Sequence, residues 1–182
     1  MFWKRKPKII KTSDSYINNE NPREDFPYLE RSCQIYISEK YQEILFVPYG
    51  KMESWMLKEL DAVVVKKWPM DFGDLQNTIL TTLDTYEYSL PDQEPNIKNW
   101  HSFNSSKAKT QRSFKTDYIS ISLRTDLKTK YGQKEVERII VETSPFDLNK
   151  DSYKLTGTAH LIETGIAQIV LDIFHACLKI KK

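Results

Sequence analysis

The segment from Thr164 to Leu178 constrains the fold more than any other part of the chain. Ile166, Ala167, Ile169, Val170, Ile173, Phe174, Cys177 and Leu178 leave Gln168, Asp172, His175 and Lys179 as a single polar stripe. A helix that is apolar around most of its circumference has to be buried, and Thr164 is placed to cap it. A sheet is the natural partner. Tyr118-Ile119-Ser120-Ile121-Ser122-Leu123 alternates with a period of two, which sets Ile119, Ile121 and Leu123 on the core face. A connecting turn at Tyr131-Gly132 leads to a return strand over Val136–Val141.

The first half follows the same plan. Cys33-Gln34-Ile35-Tyr36-Ile37 alternates, Ile44–Val47 is a short apolar run closed by Pro48, and Ala62–Val65 is a β-branched strand expected to be covered on both faces. Asp71 then caps a helix, with Asp74 in the first turn, where the helix dipole favours negative charge. Phe72, Leu75, Ile79, Leu83 and Tyr86 form its apolar stripe, and Gln76, Asn77, Thr81, Thr82 and Thr85 lie between them. The expected fold class is α+β: two similar strand-pair-plus-helix halves, with a mixed or antiparallel sheet and helices packed on it.

Residues 1–26 lack periodicity and read as an N-terminal arm, and residues 27–182 read as a single α+β domain with a polar linker over Leu90–Asn99. Val63–Asp71 can be set beside Ile139–Asp147, because in both an apolar triplet is followed at the same distance by Pro-x-Asp. That match is open to two readings, an internal duplication of 27–90 and 100–182 or chance convergence. After Asp147 the second half carries an extra loop, Leu148 to His160, before its helix.

Apolar residues make up 40% of the chain and charged residues 29%, a globular balance rather than a disordered one. No signal-peptide pattern follows the basic start, and no stretch approaches the roughly 18 apolar residues of a membrane span, so the expected compartment is the cytoplasm. Cys33 and Cys177 belong to apolar patterns and read as buried free thiols, with a disulfide as the weaker alternative. The five glycines are scattered and form no phosphate loop, and no Gly-x-Ser-x-Gly, His-Glu-x-x-His or Cys-x-x-Cys is present. The histidines are His101, His160 and His175. His175 follows Asp172 by three residues on a helix face, which fits a local structural contact, and His160 follows the small-residue loop Thr156-Gly157-Thr158-Ala159. The expectation is a protein that is not an enzyme, with no catalytic residue, metal or cofactor.

Charge is sharply segregated, although the net charge is only +2. From Trp68 to Ile97 there are six acids and no lysine or arginine, whereas residues 98–134 hold nine bases against Asp117 and Asp126. Within the acidic block Tyr86, Glu87, Tyr88, Asp92 and Glu94 combine carboxylates with aromatic rings, a mixture suited to binding a basic protein partner. The basic block interleaves Trp100, Phe103, Phe114, Tyr118 and Tyr131 with its lysines. That offers an alternative, a nucleic-acid-binding accessory protein using residues 98–134, against which the aromatics also read as core anchors.

The C-terminal half carries a resemblance. Trp100-His101-Ser102-Phe103, the alternating strand Tyr118–Ser122, the return strand and the late apolar helix, in that order, resemble the immunity proteins of bacterial contact-dependent growth inhibition systems. The resemblance implies a small cytoplasmic protein, not an enzyme, that binds and neutralises a cognate toxin domain, often a nuclease, without membrane or nucleic acid as partner. It transfers no binding residues, since each such protein is matched to its own toxin. Inhibitors of basic nucleases are often acidic overall. In this slightly basic chain the local block at 68–97 would have to serve.

Overall fold

The computed structural model describes residues 31–92, 100–130, 133–143, 155–159 and 165–180. Its elements, in chain order, are β1 (Ser32–Ser38), β2 (Glu43–Met52), β3 (Leu57–Glu59), β4 (Val64–Lys67), α1 (Phe72–Asp84), β5 (Glu87–Leu90), α2 (His101–Ser105), α3 (Gln111–Asp117), β6 (Ile119–Lys130), β7 (Gln133–Thr143), β8 (Thr156–Ala159) and α4 (Ile166–Ile180). The expected arm at 1–26, most of the linker, Tyr131-Gly132, His160 and Thr164 lie outside the described residues.

The fold is α+β, and the main sheet runs β4-β2-β1-β6-β7-β8 with every pair antiparallel. Each half is a three-stranded meander followed by a helix, and the halves meet at β1 and β6, where Ile35 faces Ile121. The sequence match of Val63–Asp71 with Ile139–Asp147 does not follow this arrangement. It sets β4, the outer strand of one meander, beside β7, the middle strand of the other, whose outer strand is β8. Thr156–Ala159, expected as a loop, is that strand. Gly157 lets α4 approach closely, since a Cβ there would run into Cγ2 of Ile169.

Helices α1 and α4 cover one face of the sheet. Ile35, Ile37, Ile44, Phe46, Ile121, Leu123, Ile139 and Val141 meet Leu75, Ile79, Leu83, Ile166, Val170 and Phe174 in one core cluster. Each such side chain contributes about 1.5–3 kcal/mol when fully buried. Trp68 lies edge-on to Phe174 at 5.1 Å and so ties the first half to the last helix. The polar stripe of α4 faces solvent as its spacing predicts: Gln168, Asp172, His175 and Lys179 are all exposed. Asp71 caps α1 by accepting from the backbone N–H groups of Gly73 and Asp74. Gln76 Oε1 accepts from the N–H of Ala167 at 2.9 Å, satisfying a donor in the first turn of α4 from the neighbouring helix. Cys33 and Cys177 are buried free thiols, and burial pushes the Cys33 thiol far up.

Three sequence expectations need correction. Val64 and Val65 are 39% and 44% exposed, because β4 pairs only with β2 and forms an edge. The strand covered on both faces is β2, where Leu45 and Val47 face a second cluster opposite Ile44 and Phe46. Pro48 does not close that strand, which continues to Met52. β4 pairs with β2 only as far as Phe46, β3 takes over at Tyr49, and the Pro48 carbonyl accepts from Leu60 N at 2.9 Å. On α1, Phe72 is exposed and Tyr86 lies past the helix end, while Thr78 and Thr82 are buried. Threonine is tolerated there because each hydroxyl donates to the carbonyl four residues back, Asp74 for Thr78 and Thr78 for Thr82. No helix among the described residues is long and apolar enough to cross a membrane.

Candidate protein-binding surface

Among the described residues the aromatic side chains of the basic block build no platform. Phe114 and Tyr118 are buried with Leu45, Val47 and Ala108, and Trp100 and Phe103 pack against them. Three carboxylates hold this layer, the short helices α2 and α3, to the sheet. Glu43, 2% exposed, accepts from the Lys107 N–H at 2.8 Å and from the Tyr118 hydroxyl, with the Lys107 ammonium at 3.4 Å. Glu59 accepts from Ser102 N at 2.8 Å, Ser102 Oγ at 2.7 Å and the Tyr36 hydroxyl at 3.5 Å. Asp117 accepts from Lys40 Nζ at 2.8 Å and the Tyr41 hydroxyl at 3.1 Å. Burial, and then the Glu59 charge, pushes Tyr36 up to about 12, and burial followed by Glu43 pushes Tyr118 up as well. Lys40 holds the Asp117 carboxyl below the usual range. These contacts are long-range in sequence and consume the polar groups of the layer in fixing its position.

Among the histidines, His101 opens α2 and His175 is exposed beside Phe174, while Asp172 accepts from Gln168 Nε2 at 2.8 Å. No group of three or more metal-ligating side chains occurs among the described residues.

The acidic block forms a different surface. The C-terminal half of β2 leaves the main sheet and becomes the middle of a small one. There β3 pairs with it antiparallel through Tyr49–Lys51, and β5 pairs with it parallel, Gly50 opposite Glu87 and Met52 opposite Leu90. Gly50 permits this crossing, since a Cβ would collide with Leu90 and press on Leu60. Tyr86 and Tyr88 stand edge to face at 4.9 Å and are half-buried, and Glu87 is exposed between them. Asp92 is exposed, but hydrogen bonds from the Ser54 hydroxyl and from Ser54 N, the latter at 2.9 Å to Oδ1, hold its carboxyl below the usual range. Glu94 lies outside the described residues. The structure thus brings Tyr86, Glu87, Tyr88 and Asp92 together on one edge of the small sheet.

That edge adjoins a feature the sequence reading did not single out. In the turn from β2 to β3, Trp55, Met56 and Leu57 are 76%, 55% and 52% exposed, three large apolar side chains in a row. Lys51 Nζ lies 4.0 Å from the centre of the Trp55 ring, a contact worth about 0.5–1 kcal/mol at an exposed site. The available sequence signal was a run of three apolar residues directly after Glu53-Ser54, between two strand segments. Such a run reads equally well as core material.

No family model and no curated protein matches the chain. Solved structures do resemble it. One is a chain of the CdiA-CT/CdiI toxin and immunity complex from Yersinia pseudotuberculosis, at a TM-score of 0.58 and 11% identity, covering 80% of this chain and 96% of that one. Another is a protein of unknown function from Neisseria meningitidis, at 0.53 and 9%, covering 84% and 96%. At these identities the likeness is one of fold.

Proposed function

We propose that this chain is an immunity protein: it binds a cognate toxin domain, of the nuclease kind, in the cytoplasm and neutralises it by occupying its surface, transforming nothing itself. The observation that carries the reading is the small sheet, which presents two tyrosines, exposed carboxylates and a bare apolar turn on one continuous stretch of backbone-paired structure. Aromatic and methionine side chains supply buried area in protein interfaces, and charges at the rim steer encounter. The likeness in fold to a chain of a toxin and immunity complex supports the same class. Packing of Trp100, Phe103, Phe114 and Tyr118 into the second cluster speaks against a base-stacking role for the segment 98–134.

The test is to examine the reading frames beside this one, the upstream frame first, for a toxin domain and to co-express that domain with this chain. Growth arrest by the toxin alone and rescue by this chain is the expected result. Changing Glu87, Asp92 and Glu94 together to lysine should slow association at low salt by about tenfold or more. Unchanged kinetics would remove these residues from the interface.

A further inference from the structure

The β2–β3 turn holds three successive backbone N–H groups in place. Glu53 N donates to the Leu90 carbonyl at 3.0 Å, Ser54 N to Asp92 Oδ1 at 2.9 Å and Trp55 N to the Met52 carbonyl at 2.9 Å, and Met52 N closes the hairpin on Met56 O at 2.8 Å. A three-residue hairpin of this kind turns back through one residue in the left-handed region, a place usually given to glycine. Here it is Trp55, at φ 69°. A bulky side chain is strained in that conformation, and at 76% exposure the ring regains little of the lost energy by burial. The turn therefore sacrifices local stability twice, in backbone strain and in exposed apolar area, while its backbone is pinned by β5 and Asp92. Strain that the surroundings maintain in this way is found at sites of ligand contact.

We infer that this turn is the anchor of the interface: Trp55, with Met56 and Leu57, inserts into an apolar recess on a positively charged protein surface. This rests on the binding role proposed above and names the part of the surface that holds the partner. The charge around the turn selects the occupant. Glu53 and Asp92 are exposed at it, Glu87 lies further along β5, and the segment 68–97 that supplies the latter two contains no lysine or arginine, so these acids outweigh Lys51, over the Trp55 ring, and Lys58 on β3. These carboxylates repel nucleic acid phosphates and anionic lipid headgroups and attract a basic protein. Asp92 acts as a positioning residue, since its side chain fixes Ser54 at the head of the turn. The fixed geometry means that little freedom is lost on binding, so the contribution of Trp55 lies in the lifetime of the complex rather than in its rate of formation.

The experiment measures association and dissociation rates of the full chain against a catalytically inactivated form of the toxin domain identified by that co-expression, with denaturant unfolding of every variant. Trp55→Gly and Trp55→Asn both accept the left-handed backbone and should fold at least as stably as the parent. Each should raise the dissociation rate by about 30-fold or more and leave the association rate within about threefold. Glu53→Lys with Glu87→Lys should do the reverse, slowing association at low salt. Parental dissociation rates in both Trp55 variants would overturn the anchor while leaving the immunity role intact. Failure of the unaltered chain to bind would defeat the role itself, and the anchor with it. Self-association of the free chain in sedimentation, abolished by Trp55→Gly, would assign the turn to a second copy and refute the basic partner.

Discussion

Replacing Glu43 tests how the second layer is held. Its carboxylate is nearly inaccessible and receives the part-buried Lys107 N–H and the buried Tyr118 hydroxyl. The Lys107 ammonium at 3.4 Å is largely exposed, so water screens its share. Glu43→Ala leaves two donors without an acceptor, at about 1–3 kcal/mol each, and opens a small void. The expected loss is about 3–5 kcal/mol, the range for breaking a buried charged contact. Glu43→Gln keeps one acceptor oxygen and should cost less, about 1–3 kcal/mol. Tyr118→Phe removes only the hydroxyl, at about 1 kcal/mol. Urea unfolding of the two single variants and the double variant Glu43→Gln/Tyr118→Phe completes a cycle, and the double loss should fall short of the sum by about 0.5 kcal/mol or more. Strict additivity, or a cost for Glu43→Ala below about 1 kcal/mol, would refute this account of how α2 and α3 are docked.

Two further outcomes follow from other contacts in the fold. Gly157→Ala places a methyl group against Ile169 Cγ2 beneath α4, and overpacking of this kind should cost about 1–3 kcal/mol in thermal or urea unfolding; a neutral result would mean that α4 does not sit so close to β8. Tyr36 keeps its proton up to about 12 in the folded protein against 10 in the unfolded chain. The unfolded state therefore releases a proton first, and the stability that is complete below pH 10 is lost as pH rises towards 12. Burial raises Tyr49 and Tyr118 in the same sense, so Tyr36→Phe should reduce the slope by one proton's share without abolishing it, and an unchanged slope would show that Tyr36 contributes nothing to it.

Much of the fold was legible in the chain because its periodicities are strong. Helix α4 keeps its four polar residues outside, Asp71 caps α1, and the alternation in β1 and β6 places Ile35, Ile37, Ile119, Ile121 and Leu123 in the core. What escaped reading depends on partners distant in sequence. Whether Val64 and Val65 are covered depends on which side of β2 they take, and nothing within the strand specifies an edge. Glu43 and Tyr118 are 75 residues apart, so the buried carboxylate and the helix that needs it share no local pattern. The proposed surface was half visible. Tyr86 to Asp92 combine charge with rings in the sequence itself. Trp55 was not singled out because exposure is a property of the assembled sheet, and its left-handed backbone cannot be inferred from a residue type that avoids that region.

The central claim is that this molecule acts by holding another macromolecule on a preformed anionic and aromatic surface. The most direct measurement is the activity of the toxin domain identified by co-expression, purified and titrated with the purified chain. The account predicts complete loss of toxin activity at one equivalent, and recovery of activity when Trp55→Gly replaces the parent at the same low concentration. Full toxin activity at a large excess of the parent chain would contradict it.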